Sequence, residues 1–310
     1  MNILVISCGG IGGYFGVRLS QNKELKVSVA LNSNIEKVQK EGIKLKSIKG
    51  DCDFEIDRIF NVHEKCEKPD FDFILLATKA LPTINQVQLL KNFVNSVETN
   101  ILIIQNGIDT EKDILENFPE NEIASAVTYI GVAKESGNII NHTGGDGILQ
   151  IGVLNRKSPS AKLLKLIEFF NQQKVKATYF DNIRAKRYEK LLWNVPFNSL
   201  SVIGGGLLTN EMTDRAEIES LSRKIMQEVI QVAASENIHF PQSVIDEKIE
   251  YTRNFPPYAS SMLVDYRLHR KLEVEAIVGN ILKIAEKNNI STPYIETVYA
   301  ILKSVNNKIS

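Results

Sequence analysis

The sequence has few cysteines and histidines, and none of them are arranged as in a disulfide-rich or zinc-binding protein. Among 310 residues there are 3 cysteines and 4 histidines. No Cys-x-x-Cys pair or Cys/His cluster occurs, which argues against a disulfide framework and a metal site. Unpaired thiols are typical of a reducing compartment, so we expect a cytoplasmic protein without a structural metal.

Long apolar segments and an excess of one charge are also missing. No run reaches the ~18 apolar residues of a membrane-spanning helix. The first residues enter an apolar strand directly, without the basic segment and cleavage site of a signal peptide. The 37 basic residues balance 37 acidic ones, leaving no net field to attract nucleic acid or anionic lipid. We therefore expect a soluble protein with neither a nucleic-acid nor a membrane partner.

The length allows two domains, and the pattern of segments changes near residue 180. Before it, β-rich runs alternate with helical patterns, which predicts a mostly parallel, helix-covered sheet. The predicted strands are 2–6, 27–31, 73–77, 101–105, 123–128, 137–141, 147–153 and 175–180, with a glycine turn at 144–147 joining an antiparallel pair. The predicted helices of this part lie near 13–21, 35–41, 84–97, 109–117 and 161–172.

After residue 180 the strand signals stop, and glycine or proline separates successive helical segments. These predicted helices are 182–203, 214–236, 242–253, 259–287 and 293–306. The sequence thus predicts an α/β protein in which residues 1–180 form a mostly parallel, helix-covered sheet domain and residues 181–310 form an all-helical domain.

A glycine-rich turn follows the first strand. Such a turn lets the backbone approach a pyrophosphate at the N-terminus of the next helix. The residues expected to bind the cofactor here are Ser7, Cys8, Gly9, Gly10, Ile11 and Gly12. Ser7 replaces the usual first glycine, at some conformational cost. A purely structural turn is the alternative.

The end of the second strand usually selects the nicotinamide cofactor. An acidic residue there binds the ribose diol, whereas a basic one binds the 2′-phosphate. This chain has Asn32, Ser33 and Asn34, which carry no charge. Three small polar side chains can hydrogen-bond a phosphate, and no carboxylate repels it. We therefore expect NADP, with a modest preference.

A polar row runs along one predicted helix. Lys190, Asn194 and Asn198 recur every four residues, so successive side chains drift by only ~40° around the helix. An ammonium and two carboxamides can bind a small carboxylate-bearing molecule and protonate an oxygen on it. The neighbouring positions are apolar, namely Leu191, Leu192, Trp193, Val195 and Phe197, which favours a buried site over a solvated stripe.

Two further polar residues end predicted strands, at the edge where open parallel sheets bind ligands. Lys79 follows the third strand, and Asn106 follows the fourth. The alternatives are a surface lysine and an ordinary Asn-Gly turn.

Taken together, the glycine turn, Lys79, Asn106, the Lys190 row, and Ser261 with the later Glu273 resemble the ketopantoate reductase (2-dehydropantoate 2-reductase) family over nearly the whole chain. The resemblance implies that residues 1–180 form a Rossmann-type, doubly wound, dinucleotide-binding domain and that residues 181–310 form an all-helical substrate and catalytic domain. It also implies NADPH-dependent reduction of a 2-oxo acid to its 2-hydroxy acid, as in pantothenate biosynthesis. It implies that Lys190 is the proton donor and that Glu273 contacts the cofactor and orders the site. The residues it implies for the substrate are Asn106, Asn194, Asn198, Asn210 and Ser261, and those for the cofactor include Asn32, Lys79 and Asn106.

Several positions depart from the family pattern. Ser7 replaces a glycine, Asn32 stands where many members carry arginine, and Tyr258 stands where an asparagine contacts substrate. The loop before Asn210 is also about two residues longer. The substrate could therefore be a different 2-oxo acid, and a dinucleotide-binding sensor without turnover is a third hypothesis. A homodimer is possible, since the apolar helical half could supply an interface.

Overall fold

The computed structural model describes residues 1–135 and 138–309, which form two compact units. The first unit contains Met1–Lys79, Ile84–Gln105 and Glu111–Ile183. The second contains everything from Arg184 onward, together with two short segments, Ala80–Thr83 and Asn106–Thr110. Two short segments that follow predicted strands are thus part of the helical unit, which the sequence did not predict.

The first unit is built on a mixed sheet whose centre is parallel. Its described strands are β1 (Asn2–Ile6), β2 (Lys26–Leu31), β3 (Lys44–Ser47), β4 (Cys52–Asp53), β5 (Ile59–Asn61), β6 (Phe73–Leu76), β7 (Asn100–Ile103), β8 (Ile123–Lys134), β9 (Ile139–Val153) and β10 (Ala177–Tyr179). The strand order is β4-β3-β9-β8-β7-β6-β1-β2-β5, and β10 pairs with β9. The central strand β1 is parallel to both of its neighbours, β2 and β6.

Apolar layers cover both faces of this sheet. Ile3 and Val5 of β1 belong to one buried cluster, whereas Leu4 and Ile6 belong to another. The helices that supply these layers are α1 (Gly10–Ser20), α2 (Ile35–Glu41), α3 (Gln86–Lys91), α4 (Lys112–Asn117) and α5 (Ala161–Gln172). Burial on both faces explains the continuously apolar strand segments of the sequence. The predicted α/β class with a doubly wound, Rossmann-type sheet is confirmed.

The predicted turn at residues 144–147 is wrong. Strand β9 runs unbroken through it, antiparallel to β8, with register shifts between Tyr129 and Gly131. Gly145 and Gly147 adopt positive φ angles of 73° and 62°, so the glycines serve an irregular strand rather than a hairpin. Of the predicted strand 137–141, Gly137 lies outside the described residues. Strands β3, β4 and β5 were not predicted, because they are short and carry no apolar run.

The described residues of the second unit form helices joined by loops, with no strand among them. It comprises α6 (Ile183–Trp193, which begins in the first unit), α7 (Ser199–Ile203), α8 (Thr209–Asp214), α9 (Ala216–Ser235), α10 (Val244–Asn254), α11 (Ser261–Arg267), α12 (Asn280–Lys287) and α13 (Pro293–Asn307). Two π-helical turns join them, π1 (Asn194–Asn198) and π2 (Glu275–Gly279).

Two of the predicted helices are not single α-helices. The segment 182–203 passes through π1, where Pro196 lacks the N–H that an α-helical hydrogen bond needs. The segment 259–287 breaks after Arg267, because His269 adopts a left-handed φ of 51° that ends the helix. Its helical character returns only in π2 and α12.

Ser7 adopts a left-handed φ of 72°, a conformation that penalises every residue except glycine. We expect Ser7→Gly to raise the free energy of unfolding by about 0.5–1 kcal/mol, because relief of strain exceeds the extra chain entropy of glycine. Urea denaturation of both proteins measures this difference. A destabilised variant would show that the serine side chain stabilises the turn.

Candidate active site

The glycine turn between β1 and α1 has the close packing that a dinucleotide-binding turn requires. A Cβ on Gly12 would lie 2.1 Å from the carbonyl oxygen of Ser7, so no side chain fits there. A Cβ on Gly9, by contrast, would meet no atom of the described residues within 4 Å, so the turn is open there. Helix α1 begins at Gly10 with Gly9 as its N-cap, and no side chain in the described part of the chain caps it. These residues fit a pyrophosphate.

The other residues predicted for the cofactor lie in the same unit. The Cys8 side chain is buried, and burial raises the pKa of its thiol to about 12, so only its backbone is suited to contact a ligand. Ile11 lies in the first turn of α1 and is partly exposed, Asn32 directly follows β2 and is exposed, and Lys79 follows β6 and is partly buried. Asn32 accepts a hydrogen bond from His63 Nε2 at 2.5 Å, a partner that the sequence did not indicate.

In the helical unit, hydrogen bonds connect three of the predicted site residues. Lys190 Nζ donates to Asn106 Oδ1 at 2.7 Å, and Asn106 Nδ2 donates to Glu273 Oε2 at 3.3 Å. The other carboxylate oxygen, Glu273 Oε1, accepts from the backbone N–H of Ala80 at 2.9 Å. Asn106 therefore links the ammonium to the carboxylate through a single amide.

The surroundings of Lys190 change its acidity. Desolvation is the largest effect and lowers the pKa of Lys190 to about 8, with a further lowering by Arg187 and an opposing effect of Glu273. A group with a pKa near 8 exchanges protons readily in the neutral range, which suits a general acid.

The segment that carries Asn106 is held firmly within the helical unit. Gly107 has a φ of 91°, and a Cβ on it would lie 2.2 Å from the carbonyl oxygen of Ala276. Ile108 donates its N–H to that same oxygen at 3.1 Å. Arg187 Nη1 donates to the Gly107 carbonyl at 2.7 Å, and Asn280 Nδ2 donates to the Ile108 carbonyl at 2.7 Å. This is therefore more than an ordinary Asn-Gly turn.

Asn194 and Asn198, the two predicted amides after Lys190, occupy the ends of π1. Their side chains are 5% and 1% exposed. Neither Nδ2 nor Oδ1 of Asn198 has a hydrogen-bond partner among the described residues. A buried amide without partners costs about 1–3 kcal/mol for each unsatisfied group, so such groups call for an explanation. A polar ligand bound beside Asn198 would supply it.

Asn210 and Ser261 lie on segments near this amide row in the same unit. The Oδ1 atom of Asn210 is also buried without a partner among the described residues. Ser261 is the exposed first residue of α11, and the preceding Ser260 is fully buried. Ser260 Oγ hydrogen-bonds Ser201 Oγ at 2.8 Å, and Ser201 Oγ donates to the Asn198 carbonyl at 2.7 Å. This hydroxyl pair couples the start of α11 to π1, and the sequence reasoning missed it.

Tyr258, the aromatic departure from the family pattern, forms part of an aromatic group. Its ring stacks on Trp193 with centroids 6.0 Å apart and an interplanar angle of 18°. Its backbone N–H donates to Thr209 Oγ1 at 3.1 Å, which ties it to the residue before Asn210. Trp193 in turn contacts Phe197, with centroids 5.1 Å apart. Aromatic rings thus flank the row of amides.

Comparison with known proteins agrees with this geometry. Residues 3–156 match the family model described as ketopantoate reductase PanE/ApbA, and residues 182–306 match the model of its C-terminal part. The chain belongs to the ketopantoate reductase family. The predicted combination of a Rossmann-type unit with a C-terminal helical unit is the fold of that family.

Members of the ketopantoate reductase family resemble this chain over nearly its full length. A Nostoc sp. protein named 2-dehydropantoate 2-reductase is 29% identical, with 96% of this chain and 93% of that protein covered. The crystal structure of 2-dehydropantoate 2-reductase from Methylococcus capsulatus is 32% identical, covers 100% of this chain and 98% of its own, and superposes with a TM-score of 0.92. The enzyme of that name from Geobacter metallireducens is 25% identical, with coverage of 98% and 99% and a TM-score of 0.89.

No helix within residues 1–135 and 138–309 has both the length and the apolarity to cross a membrane. Nor does this part of the chain bring together three or more metal-ligating side chains.

Gly107→Ala should destabilise the protein strongly, because its Cβ would collide with the π2 backbone. The matched control is Gly205→Ala, since Gly205 has a similar φ of 87° but no atom within 4 Å of a Cβ. We expect the control to lose about 1 kcal/mol from backbone strain alone. Gly107→Ala should lose about 3 kcal/mol or more in urea denaturation. Equal losses would show that the segment is not held rigidly against π2.

Proposed function

We propose that the chain catalyses the NADPH-dependent reduction of 2-dehydropantoate to pantoate. The observation that carries the proposal is the hydrogen bond from Lys190 to Asn106, in which a partly buried ammonium with a pKa near 8 is oriented by an amide. Membership of the ketopantoate reductase family and the buried amides beside Lys190 support the same reaction.

Lys190 acts as the general acid. NADPH, when bound, would supply a hydride to the carbonyl carbon of the substrate, so that negative charge would develop on the carbonyl oxygen. The ammonium of Lys190 stabilises that charge and transfers a proton to the oxygen, which yields the 2-hydroxy acid. The acid is efficient because its pKa of about 8 lies close to neutral pH.

Asn106 and Glu273 orient Lys190 and adjust its charge. The Asn106 oxygen accepts from the ammonium and fixes the direction of the lysine side chain. Glu273 raises the pKa of Lys190, whereas desolvation lowers it, and Glu273 thereby helps to keep the ammonium protonated at neutral pH. Because Glu273 also accepts from the Ala80 N–H, its carboxylate is held in place at both oxygens.

The amide groups bind the polar parts of the substrate. Asn198 brings a donor and an acceptor that have no partner among the described residues, and Asn210 brings an acceptor. A carboxylate accepts from the amide N–H groups, and a substrate hydroxyl donates to an amide oxygen. Asn194 and the exposed hydroxyl of Ser261 complete the proposed set.

The glycine turn and the strand ends of the first unit bind the cofactor. The open surface at Gly9 and the backbone N–H groups at the start of α1, which no described side chain caps, suit the pyrophosphate. Asn32, after β2, suits the adenosine ribose with its 2′-phosphate, and Lys79, after β6, suits an anionic or polar part of the same cofactor.

A reductase of a different 2-oxo acid is the second candidate. It is favoured by the stacking of Tyr258 on Trp193, which presents aromatic surface beside the amide row. Aromatic surface favours an apolar substrate tail over a hydroxylated one.

Lys190→Ala should lower kcat by about 10²–10⁴-fold without unfolding the protein, because it removes the proton donor. The decay of NADPH absorbance, measured with 2-dehydropantoate and a panel of branched and aromatic 2-oxo acids, gives this value and identifies the preferred acid. The matched control is Lys186→Ala, one turn earlier in α6, where the ammonium instead pairs with Glu189 at 3.0 Å.

Near-normal turnover by the Lys190→Ala protein would remove the proton-donor assignment. Absence of turnover by the unsubstituted protein with every 2-oxo acid, despite NADPH binding, would indicate a dinucleotide-binding sensor instead.

The rate of reduction should fall as the pH rises through the pKa of Lys190 near 8, because the acid must be protonated. Glu273→Gln should move this inflection to lower pH, since the carboxylate raises the pKa of Lys190. The profile of kcat/KM against pH, which reports pKa values of the free enzyme, checks the prediction for both proteins. An unchanged inflection in the variant would mean that another group limits the rate.

A further inference from the structure

Two exposed polar side chains meet at one edge of the sheet in the first unit. Strands β2 and β5 are parallel neighbours, and their last pair is Leu31 with Asn61. Asn32 follows β2 directly, and His63 follows β5 by two residues. Because the carboxyl ends of parallel strands lie at the same edge, these two side chains reach the region where a Rossmann-type sheet binds the adenosine ribose.

A hydrogen bond of 2.5 Å joins His63 Nε2 to Asn32 Oδ1. An amide oxygen can only accept, so His63 is the donor in this bond. The bond uses the Asn32 oxygen and turns the amide so that its nitrogen, with two N–H groups, is presented to a ligand. His63 thereby converts an ambivalent amide into a group that mainly donates.

The position of His63 is itself fixed by its own turn. Its backbone N–H donates to Asn61 Oδ1 at 3.1 Å, which closes an Asx turn at the end of β5. Asn61 Nδ2 in turn donates to Glu64 Oε1 at 2.9 Å, so the Glu64 carboxylate already accepts a hydrogen bond within this turn. The imidazole is thus directed at Asn32 by the local chain.

We propose that His63 is a specificity-determining residue that selects the dinucleotide carrying a 2′-phosphate. The proposal rests on the cofactor binding included in the proposed function, and it concerns the adenosine end rather than the reaction. His63 acts by orienting Asn32, because its Nε2–H is used in the bond to the Asn32 oxygen.

The two cofactors place opposite demands on this position. The ribose diol of NADH has two hydroxyl donors and is best bound by an acceptor, usually a carboxylate. A 2′-phosphate carries only acceptor oxygens and a negative charge, so it is best bound by donors. With its oxygen used by His63, Asn32 meets the second demand and not the first. An amide binds a phosphate more weakly than an arginine does, because it carries no charge. We therefore expect a preference for NADPH over NADH of about tenfold, the scale of one hydrogen bond to a charged group.

The test measures dissociation constants of NADPH and NADH by fluorescence titration or calorimetry, without substrate. His63→Phe keeps a ring of similar size but removes the donor. We expect it to weaken NADPH binding about tenfold and to leave NADH binding within twofold. Asn32→Asp, which places an acceptor carboxylate at the same site, should weaken NADPH binding and strengthen NADH binding. Adenosine 2′,5′-bisphosphate and AMP, which lack the nicotinamide, should show the same pattern.

His239→Phe is the matched control, because His239 is also exposed but lies in the helical unit. It should change neither dissociation constant. Equal changes for NADPH and NADH in His63→Phe, or a preference of the unsubstituted protein for NADH, would overturn the proposal.

Failure of the proposed function would look different. If no 2-oxo acid is reduced but NADPH still binds more tightly than NADH in a His63-dependent way, the reaction is wrong and the role of His63 stands.

Discussion

The hydrogen bond between Lys190 and Asn106 is the interaction on which the rest of the candidate site depends. An ammonium removed from water is costly unless a polar partner replaces its hydration. Asn106 is one such partner, and its position is fixed because Gly107 and Ile108 pack and hydrogen-bond against π2. The backbone of the helical unit thus determines the direction of the amide, and the amide determines the direction of the ammonium.

Both π-helical turns lie where the site is built. π1 carries Asn194 and Asn198, and π2 follows Glu273 directly and supplies the Ala276 carbonyl that holds the Asn106 segment. A π turn replaces regular α-helical hydrogen bonds, so it persists only where neighbouring packing supports it. Such turns are frequent at functional sites. Here the amide of Asn198, which has no partner within residues 1–135 and 138–309, is a second cost, which is consistent with a site organised for a polar ligand.

Much of this could be predicted from the sequence, because the signals were local and periodic. The apolar strands, helix 161–172 and the polar row across α6 and π1 all follow from side-chain spacing. The glycines at 144–147 predict a turn, because an irregular strand segment can be as rich in glycine as a hairpin turn. The contacts that hold the site could not be predicted, since Arg187 with Gly107, Ala80 with Glu273, and Ser260 with Ser201 are pairs far apart in the sequence. His63 was missed for a similar reason, because β5 is too short to be recognised.

The proposed reaction requires Lys190 to be an ammonium in a partly dry site, with its pKa lowered by desolvation. NMR titration of lysine side chains, with the Lys190 resonance assigned by comparison with the Lys190→Ala protein, measures this directly. We expect this lysine to titrate near pH 8, well below the ordinary value for lysine. Titration of Lys190 at the ordinary lysine value would rule out a desolvated ammonium at this position.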